Sequence, residues 1–209
     1  MSNSSTPAAW GALFDWDGVI IDSRTHHEES WERLASEAGR ALPPGHFLQG
    51  FGRKNDFIIP GILGWTSDPA EITALSLRKE ELYREVVRDR GLSALPGVHV
   101  WLERLREAGV PCSIGSSTHR ANIELSLGMI GLAGYFQAIV TAEDVTTGKP
   151  DPEVFLLAAR RIARLPERCV VFEDAHVGIA AARAGGMRVV AVATTHPREE
   201  LAHADLAVE

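Results

Sequence analysis

Short apolar runs alternating with helical stripes set the pattern of this chain. Ala12-Leu13-Phe14 is such a run, and the polar, glycine-broken stretch after it marks a buried strand over roughly 11–15 that ends in a loop. From position 23 to about 92 the strand signal vanishes. Trp31, Leu34, Ala35 and Ala38 fall on one helical stripe, which Gly39 ends. Pro43-Pro44 breaks the chain, and helices are predicted near 46–49, 54–63 and 68–90. Asp68 is the expected N-cap of the last, with Pro69 at its first position and Gly91 as its terminator. The chain then alternates regularly: helices over 97–108, 120–129, 152–163 and 177–184, strands over 110–114, 138–140, 169–172 and 188–192. A last edge strand begins near 204–209, with a short sheet edge expected there.

Strands alternating with helices imply βαβ units, a parallel sheet and right-handed crossovers. The fold class is therefore α/β, with a parallel-sheet core formed by 10–22 and 93–209 and an inserted helical cap over 23–92. Residues 1–9 are polar and small and read as a disordered tail without the basic-then-apolar pattern of a signal peptide.

Composition narrows the classes. The 209 residues are 45% hydrophobic and 23% charged, an ordinary balance for a soluble globular protein. No apolar run reaches the roughly 18 residues of a membrane span, and a cytoplasmic location is expected. The net charge of -7 argues against nucleic acid as a partner but leaves room for an anionic substrate, because a metal ion and a few placed cations reverse the local field. Monomer or weak homodimer is the expected state. Cys112 and Cys169 both lie in strand-like runs, where a buried inert thiol is the favoured reading over a disulfide or a metal ligand.

Four stretches carry candidate chemistry, all at predicted strand ends, where parallel α/β sheets bind ligands. Asp15-Trp16-Asp17-Gly18 sets two carboxylates beside a glycine that permits a sharp turn and brings amides near an anion; alone, it is equally a turn decorated with acids. Gly115-Ser116-Ser117-Thr118 precedes a helix and reads as an anion site or as simple capping. Lys149, between Gly148 and Pro150, offers a fixed point charge, although most lysines are merely solvated. Glu173-Asp174 ends an apolar strand, and carboxylates gathered there repel unless a divalent cation is shared.

In order and spacing, Asp15-x-Asp17-Gly18-Val19, Ser116, Lys149-Pro150 and Glu173-Asp174 resemble the four motifs of the haloacid dehalogenase (HAD) superfamily across nearly the whole chain. Asp22-Ser23 followed by the insertion, with Gly148-Lys149-Pro150-Asp151-Pro152, is similar to the subgroup of β-phosphoglucomutase and its sugar-phosphate phosphatase relatives, which carry a helical cap on a Rossmann-like core. The resemblance implies Asp15 as nucleophile and Asp17 as acid/base. It implies Mg2+ on Asp15, the Asp17 carbonyl and Asp174, with Glu173 a second-shell or water-held ligand. Ser116, Ser117 and the Gly18 turn would bind phosphate, and Lys149 would neutralise charge.

In the cap, His27 matches a histidine that in the mutase aligns the acid/base aspartate, against a solvated or capping role. Arg53 in Gly50-Phe51-Gly52-Arg53 resembles the arginine that grips a second phosphate, against pairing with an acid such as Asp56. Lys79 matches a mutase lysine but reads as part of a solvated helix face. Trp16 serves packing as much as chemistry, and His119 and His176 match no catalytic position of the family. The resemblance also favours phosphoryl transfer over dehalogenation: expelled halide needs no proton and the dehalogenase members lack an acid at this position, whereas this chain has Asp17. The expected activity is a Mg2+-dependent phosphomonoester hydrolase acting on a small phosphorylated sugar or metabolite. A sugar phosphomutase is the alternative, and a catalytically silent binding protein a further one.

Overall fold

A computed structural model describes residues 9–209, so the predicted tail, Ala9 apart, lies outside the described residues. The strands are β1 (Gly11–Phe14), β2 (Cys112–Gly115), β3 (Ala138–Val140), β4 (Cys169–Glu173), β5 (Arg188–Val192) and β6 (Leu206–Val208). They form one parallel sheet in the order β3-β2-β1-β4-β5-β6. The chain runs outward from β1 to β2 and β3, then returns to β1's other side for β4, β5 and β6. That reversal puts a topological switch point beside the C-terminal end of β1, where ligands settle in open α/β sheets. The expected edge strand at the chain's end is β6, paired with β5.

Eight helices are described: α1 (Arg24–Ala38), α2 (His46–Gly50), α3 (Asn55–Phe57), α4 (Pro69–Arg90), α5 (Val98–Glu107), α6 (Arg120–Ile130), α7 (Glu153–Arg161) and α8 (His176–Ala184). Strand alternation sorts β1 between the two sheet faces. Leu13 joins a cluster with Phe155, Ala158, Ile179 and Val189, under α7 and α8. Ala12 and Phe14 face the opposite way, with Leu102, Leu105, Ile123 and Leu127 of α5 and α6. Phe14 stacks on Phe172 of the neighbouring strand at 4.7 Å between ring centroids. β2 approaches α7 so closely that a Cβ at Gly115 would stand 2.9 Å from the Phe155 ring.

The helices between β1 and α5 have a core of their own, in which Trp31, Leu34, Ile59 and Leu82 pack together. α1 stops where Gly39 turns left-handed, and α4 starts where the Asp68 carboxylate accepts the Ala70 amide at 2.9 Å with Pro69 at N1, both as the sequence predicts. The predicted helix over 54–63 is corrected: α3 is a single turn, followed by a wider-wound turn at Ile58–Ile62 that seats Ile58 and Ile59 in the local core and holds Pro60. The two crossings back to the sheet run side by side, with the Leu95 amide bonded to the Ile20 carbonyl at 2.9 Å and Ile21 bridged to Ala94. No described helix is long and apolar enough to cross a membrane. Both cysteines are free and buried, and burial pushes their thiols up, to about 12 for Cys112 and about 11 for Cys169.

One close approach joins the fold to its acidic edge. α8 passes over Glu173 at Gly178, where a Cβ would stand 1.6 Å from Glu173 Oε1. Gly178→Ala is therefore expected to destabilise the protein by about 1–3 kcal/mol, read from chemical denaturation, through overpacking on Glu173.

Candidate active site

Three carboxylates and one ammonium group meet at the C-terminal ends of β1 and β4. Asp15 follows β1 directly, its amide tied to the Phe172 carbonyl at 2.9 Å. Lys149, on the loop before α7, places Nζ 2.9 Å from Asp15 Oδ1 and 2.7 Å from Glu173 Oε1. Glu173 also accepts the Ala175 amide at 2.6 Å. Asp174 accepts the Thr195 hydroxyl through Oδ2, while its Oδ1 is buried without a hydrogen-bond partner. All four side chains are almost wholly removed from solvent.

Burial on that scale penalises charge, and the carboxylates add to it by mutual repulsion. Burial, only partly opposed by Lys149 and augmented by Glu173 and Asp17, pushes Asp15 up to about 7. Burial, then Glu173 and Asp15, raise Asp174 well above the usual carboxylate range. Burial alone would lower Lys149, but Asp15 and Glu173 hold its proton more tightly, and the net shift is upward. The site is short of positive charge.

Its residues fit a hard divalent cation. Asp15, Glu173 and Asp174 each present an oxygen within 4.8 Å of the others, and the unpartnered Asp174 Oδ1 is one of the oxygens such an ion would satisfy. Gly18 leaves the room: its φ is +78°, and a Cβ there would stand 1.9 Å from Asp174 Oδ2. The Gly18 amide donates to the Ile21 carbonyl at 2.9 Å, so this glycine shapes the turn and does not offer its own N–H to an anion.

Asp17 lies apart from the acidic trio and accepts three donors. Ser23 Oγ is at 2.5 Å and His27 Nε2 at 3.1 Å from Oδ1, and the Thr118 hydroxyl donates to Oδ2. Burial would raise its pKa, but His27 and the three hydrogen bonds outweigh it and hold Asp17 well below the usual range. On the other side of the imidazole, Lys79 Nζ lies 2.7 Å from His27 Nδ1, so the ring is held between Lys79 and Asp17. Tyr83 stacks on the same ring at 4.2 Å.

Lys79 requires a correction. Its charged helix predicts a solvated position, yet Lys79 is buried between His27 and Glu80, with Nζ 3.1 Å from Glu80 Oε1. α4 turns this face inward because α1 packs along it and α6 abuts it. Glu80 in turn accepts Asn55 Nδ2 at 2.6 Å and the Asn122 side-chain amide, so it joins the inserted helices to α6 of the core. Lys79, then His27, His119 and Asn55, overcome its burial and bring its pKa down to about 2.

Ser116 is buried, and its Oγ accepts the Thr118 amide at 3.1 Å. Ser117 points elsewhere, donating to the Gly52 carbonyl at 2.9 Å across the cleft. Arg53 does not pair with Asp56; its guanidinium lies 4.4 Å over the Phe57 ring, and Lys54 takes Asp56 at 3.7 Å. Asp15, Asp17, His27, Arg53, Ser116 and Thr118 line one pocket between sheet and inserted helices. Thr118 belongs to the Gly115-Ser116-Ser117-Thr118 stretch that the sequence marks, whereas no local pattern marks Thr195, Asn55, Glu80 or Asn122.

Comparison with known proteins defines the class. The family model for haloacid dehalogenase-like hydrolases matches residues 12–192. The chain is 35% identical to the fructose-1-phosphate phosphatase of Escherichia coli over 87% of its own length and 95% of the relative's. It is 38% identical to a chloroplastic 5-amino-6-(5-phospho-D-ribitylamino)uracil phosphatase of Arabidopsis thaliana, over 95% of this chain but about half, 53%, of that longer protein. The crystal structure of β-phosphoglucomutase from Clostridium difficile superposes with a TM-score of 0.86 at 25% identity, covering 97% of this chain and 91% of that one. The chain belongs to the haloacid dehalogenase-like hydrolases, in the β-phosphoglucomutase-like group of phosphatases and related phosphomutases.

Two outcomes follow from the Glu80 link. Glu80→Ala strands the Lys79 charge in the interior and is expected to cost about 3–5 kcal/mol in denaturant unfolding. Because the folded Glu80 pKa lies below its unfolded value of 4.5, its stabilisation is complete above that value and is lost as pH falls through about 2. Acid unfolding of Glu80→Gln should accordingly show a shallower loss of stability between those limits than the wild type.

Proposed function

We propose that this protein is a Mg2+-dependent phosphomonoester hydrolase of a small phosphorylated sugar or related metabolite, working through a phosphoenzyme on Asp15. The observation that carries the reading is Lys149 Nζ at 2.9 Å from Asp15 Oδ1, with Asp17 lining the same pocket. Lys149 holds one Asp15 oxygen and leaves the other to attack phosphorus, which splits one hard displacement into two easier ones. Mg2+, when bound, would be held by the Asp15 and Asp174 carboxylates and the Asp17 carbonyl, with Glu173 beside them, and would supply positive charge against the phosphoryl oxygens. Ser116, whose Oγ accepts the Thr118 amide, would donate its hydroxyl hydrogen to a phosphoryl oxygen, and Ser117 would support the loop through Gly52.

Asp17 has two tasks, protonating the leaving oxygen and then taking a proton from water. With three donors on its carboxylate, the observed arrangement is the basic form, suited to the second task. A substrate phosphate entering beside it raises its pKa by like-charge repulsion and prepares the first. We further infer that 23–92 acts as a cap on the core formed by 10–22 and 93–209. Its hinges would lie near 21–23 and 92–97, where the two crossings run together. Closure would exclude water from the pocket.

One feature favours phosphomutase activity as a second reading. Arg53 lines the pocket stacked on Phe57, without an acidic partner among the described residues, and so has hydrogen-bonding capacity for a second phosphate. Phosphorylated metabolites offered with Mg2+ separate the two: phosphate release supports the hydrolase, and conversion of β-glucose 1-phosphate without release supports the mutase. Inactivity towards all of them would overturn both.

Asp15→Asn is expected to abolish turnover while the thermal midpoint remains near that of the wild type. Asp17→Asn should lower kcat by about a hundred- to ten-thousandfold, measured under saturating substrate. Chelation with EDTA should stop turnover and added Mg2+ restore it.

A further inference from the structure

Among the described residues a second set of metal-ligating side chains stands outside the acidic trio. His176 opens α8, while His196 and Glu200 belong to the segment between β5 and β6. One ligand atom from each lies within 4.8 Å of the others. Glu200 Oε2 is 3.6 Å from His196 Nδ1 and 3.8 Å from His176 Nε2. Ligand atoms around a tetrahedral zinc with bonds of about 2.0–2.1 Å stand roughly 3.4 Å apart, so the two imidazole–carboxylate separations need only a few tenths of an ångström of closure.

Nearness in sequence accounts for His196 beside Glu200, four positions apart across the turn at Arg198–Leu201. It does not account for His176, which arrives from the end of a different strand and whose ring centroid is 4.3 Å from that of His196. A third imidazole, His203, stacks on His176 at 5.1 Å, so three of the chain's eight histidines share this patch. His196 is largely covered, whereas His176 and Glu200 are open enough for an ion to enter. Two imidazole nitrogens and one carboxylate suit Zn2+, Co2+, Ni2+ or Cu2+, while the oxygen-only trio at Asp15, Glu173 and Asp174 suits Mg2+.

We propose that His176, His196 and Glu200 form a binding site for a borderline divalent ion such as Zn2+, separate from the acidic trio. An ion held there fastens the β5–β6 segment to the start of α8. That segment also carries Thr195, which donates to Asp174 Oδ2, and Thr194, which donates to the Gly18 carbonyl at 2.5 Å. Occupancy therefore stiffens the backing of the acidic edge. The site is argued from its own ligands and does not depend on the phosphatase reading.

The test titrates Zn2+ into the full chain in saturating Mg2+ by calorimetry, with Co2+ absorption as a second readout. One tight equivalent is expected, with a rise in thermal midpoint and, for Co2+, the intense visible bands of a four- or five-coordinate nitrogen-containing site. His196→Ala and Glu200→Gln should each weaken Zn2+ binding at least about tenfold, and Asp174→Asn should leave it in place. Binding that survives His176→Ala and His196→Ala together, binding abolished by Asp174→Asn, or no Zn2+ binding at all would overturn the proposal. A weak octahedral Co2+ spectrum of the unaltered chain would do so without recourse to any variant.

Discussion

The structure turns on how three carboxylates are kept inside the protein with a single lysine among them. Asp15, Glu173 and Asp174 are gathered by the pairing of β1 with β4, and Lys149 reaches two of the three. Desolvation works against every one of these charges, and the repulsion among the acids works in the same direction. Two further donors support the acids, the Ala175 amide on Glu173 and the Thr195 hydroxyl on Asp174. What is left over, the bare Asp174 Oδ1 and a net negative charge, is the physical reason the site calls for a cation.

Two glycines make that gathering sterically possible. Gly18 and Gly178 leave the space occupied by carboxylate oxygens of Asp174 and Glu173, so the turn after β1 and the first turn of α8 close onto the acids directly. Their role is absence of bulk at a charged contact. The flexibility usually credited to glycine in such loops matters only at Gly18, whose φ is positive.

A second polar network, centred on Glu80, joins the inserted helices to the core. Glu80 meets Lys79 and Asn55 on one side and Asn122 of α6 on the other, while Lys79 passes on to His27 and thence to Asp17. The state of Asp17 is thereby tied to the seating of the inserted helices against α6. The Glu80–Asn122, Arg84–Asn122, Ser117–Gly52 and Lys54–Val145 hydrogen bonds all cross between the inserted helices and the core. These polar contacts give the interface a specific position.

Periodicity and turn chemistry determined the sheet, its parallel sense, the helical insertion and the strand-end placement of Asp15, Ser116, Lys149 and Glu173-Asp174, because these depend on neighbours within a few residues. Tertiary structure decided the rest. The burial of Lys79 could not be read from a charged helix face, since what covers it comes from α1 and α6. Thr195, Asn55, Asn122 and the meeting of His176 with His196 are likewise contacts between segments that no local pattern relates. A sequence records which groups are available and on which face they emerge, but a hydrogen bond or an ion pair requires that two such faces be brought within about 3 Å, and only the folded chain sets that distance.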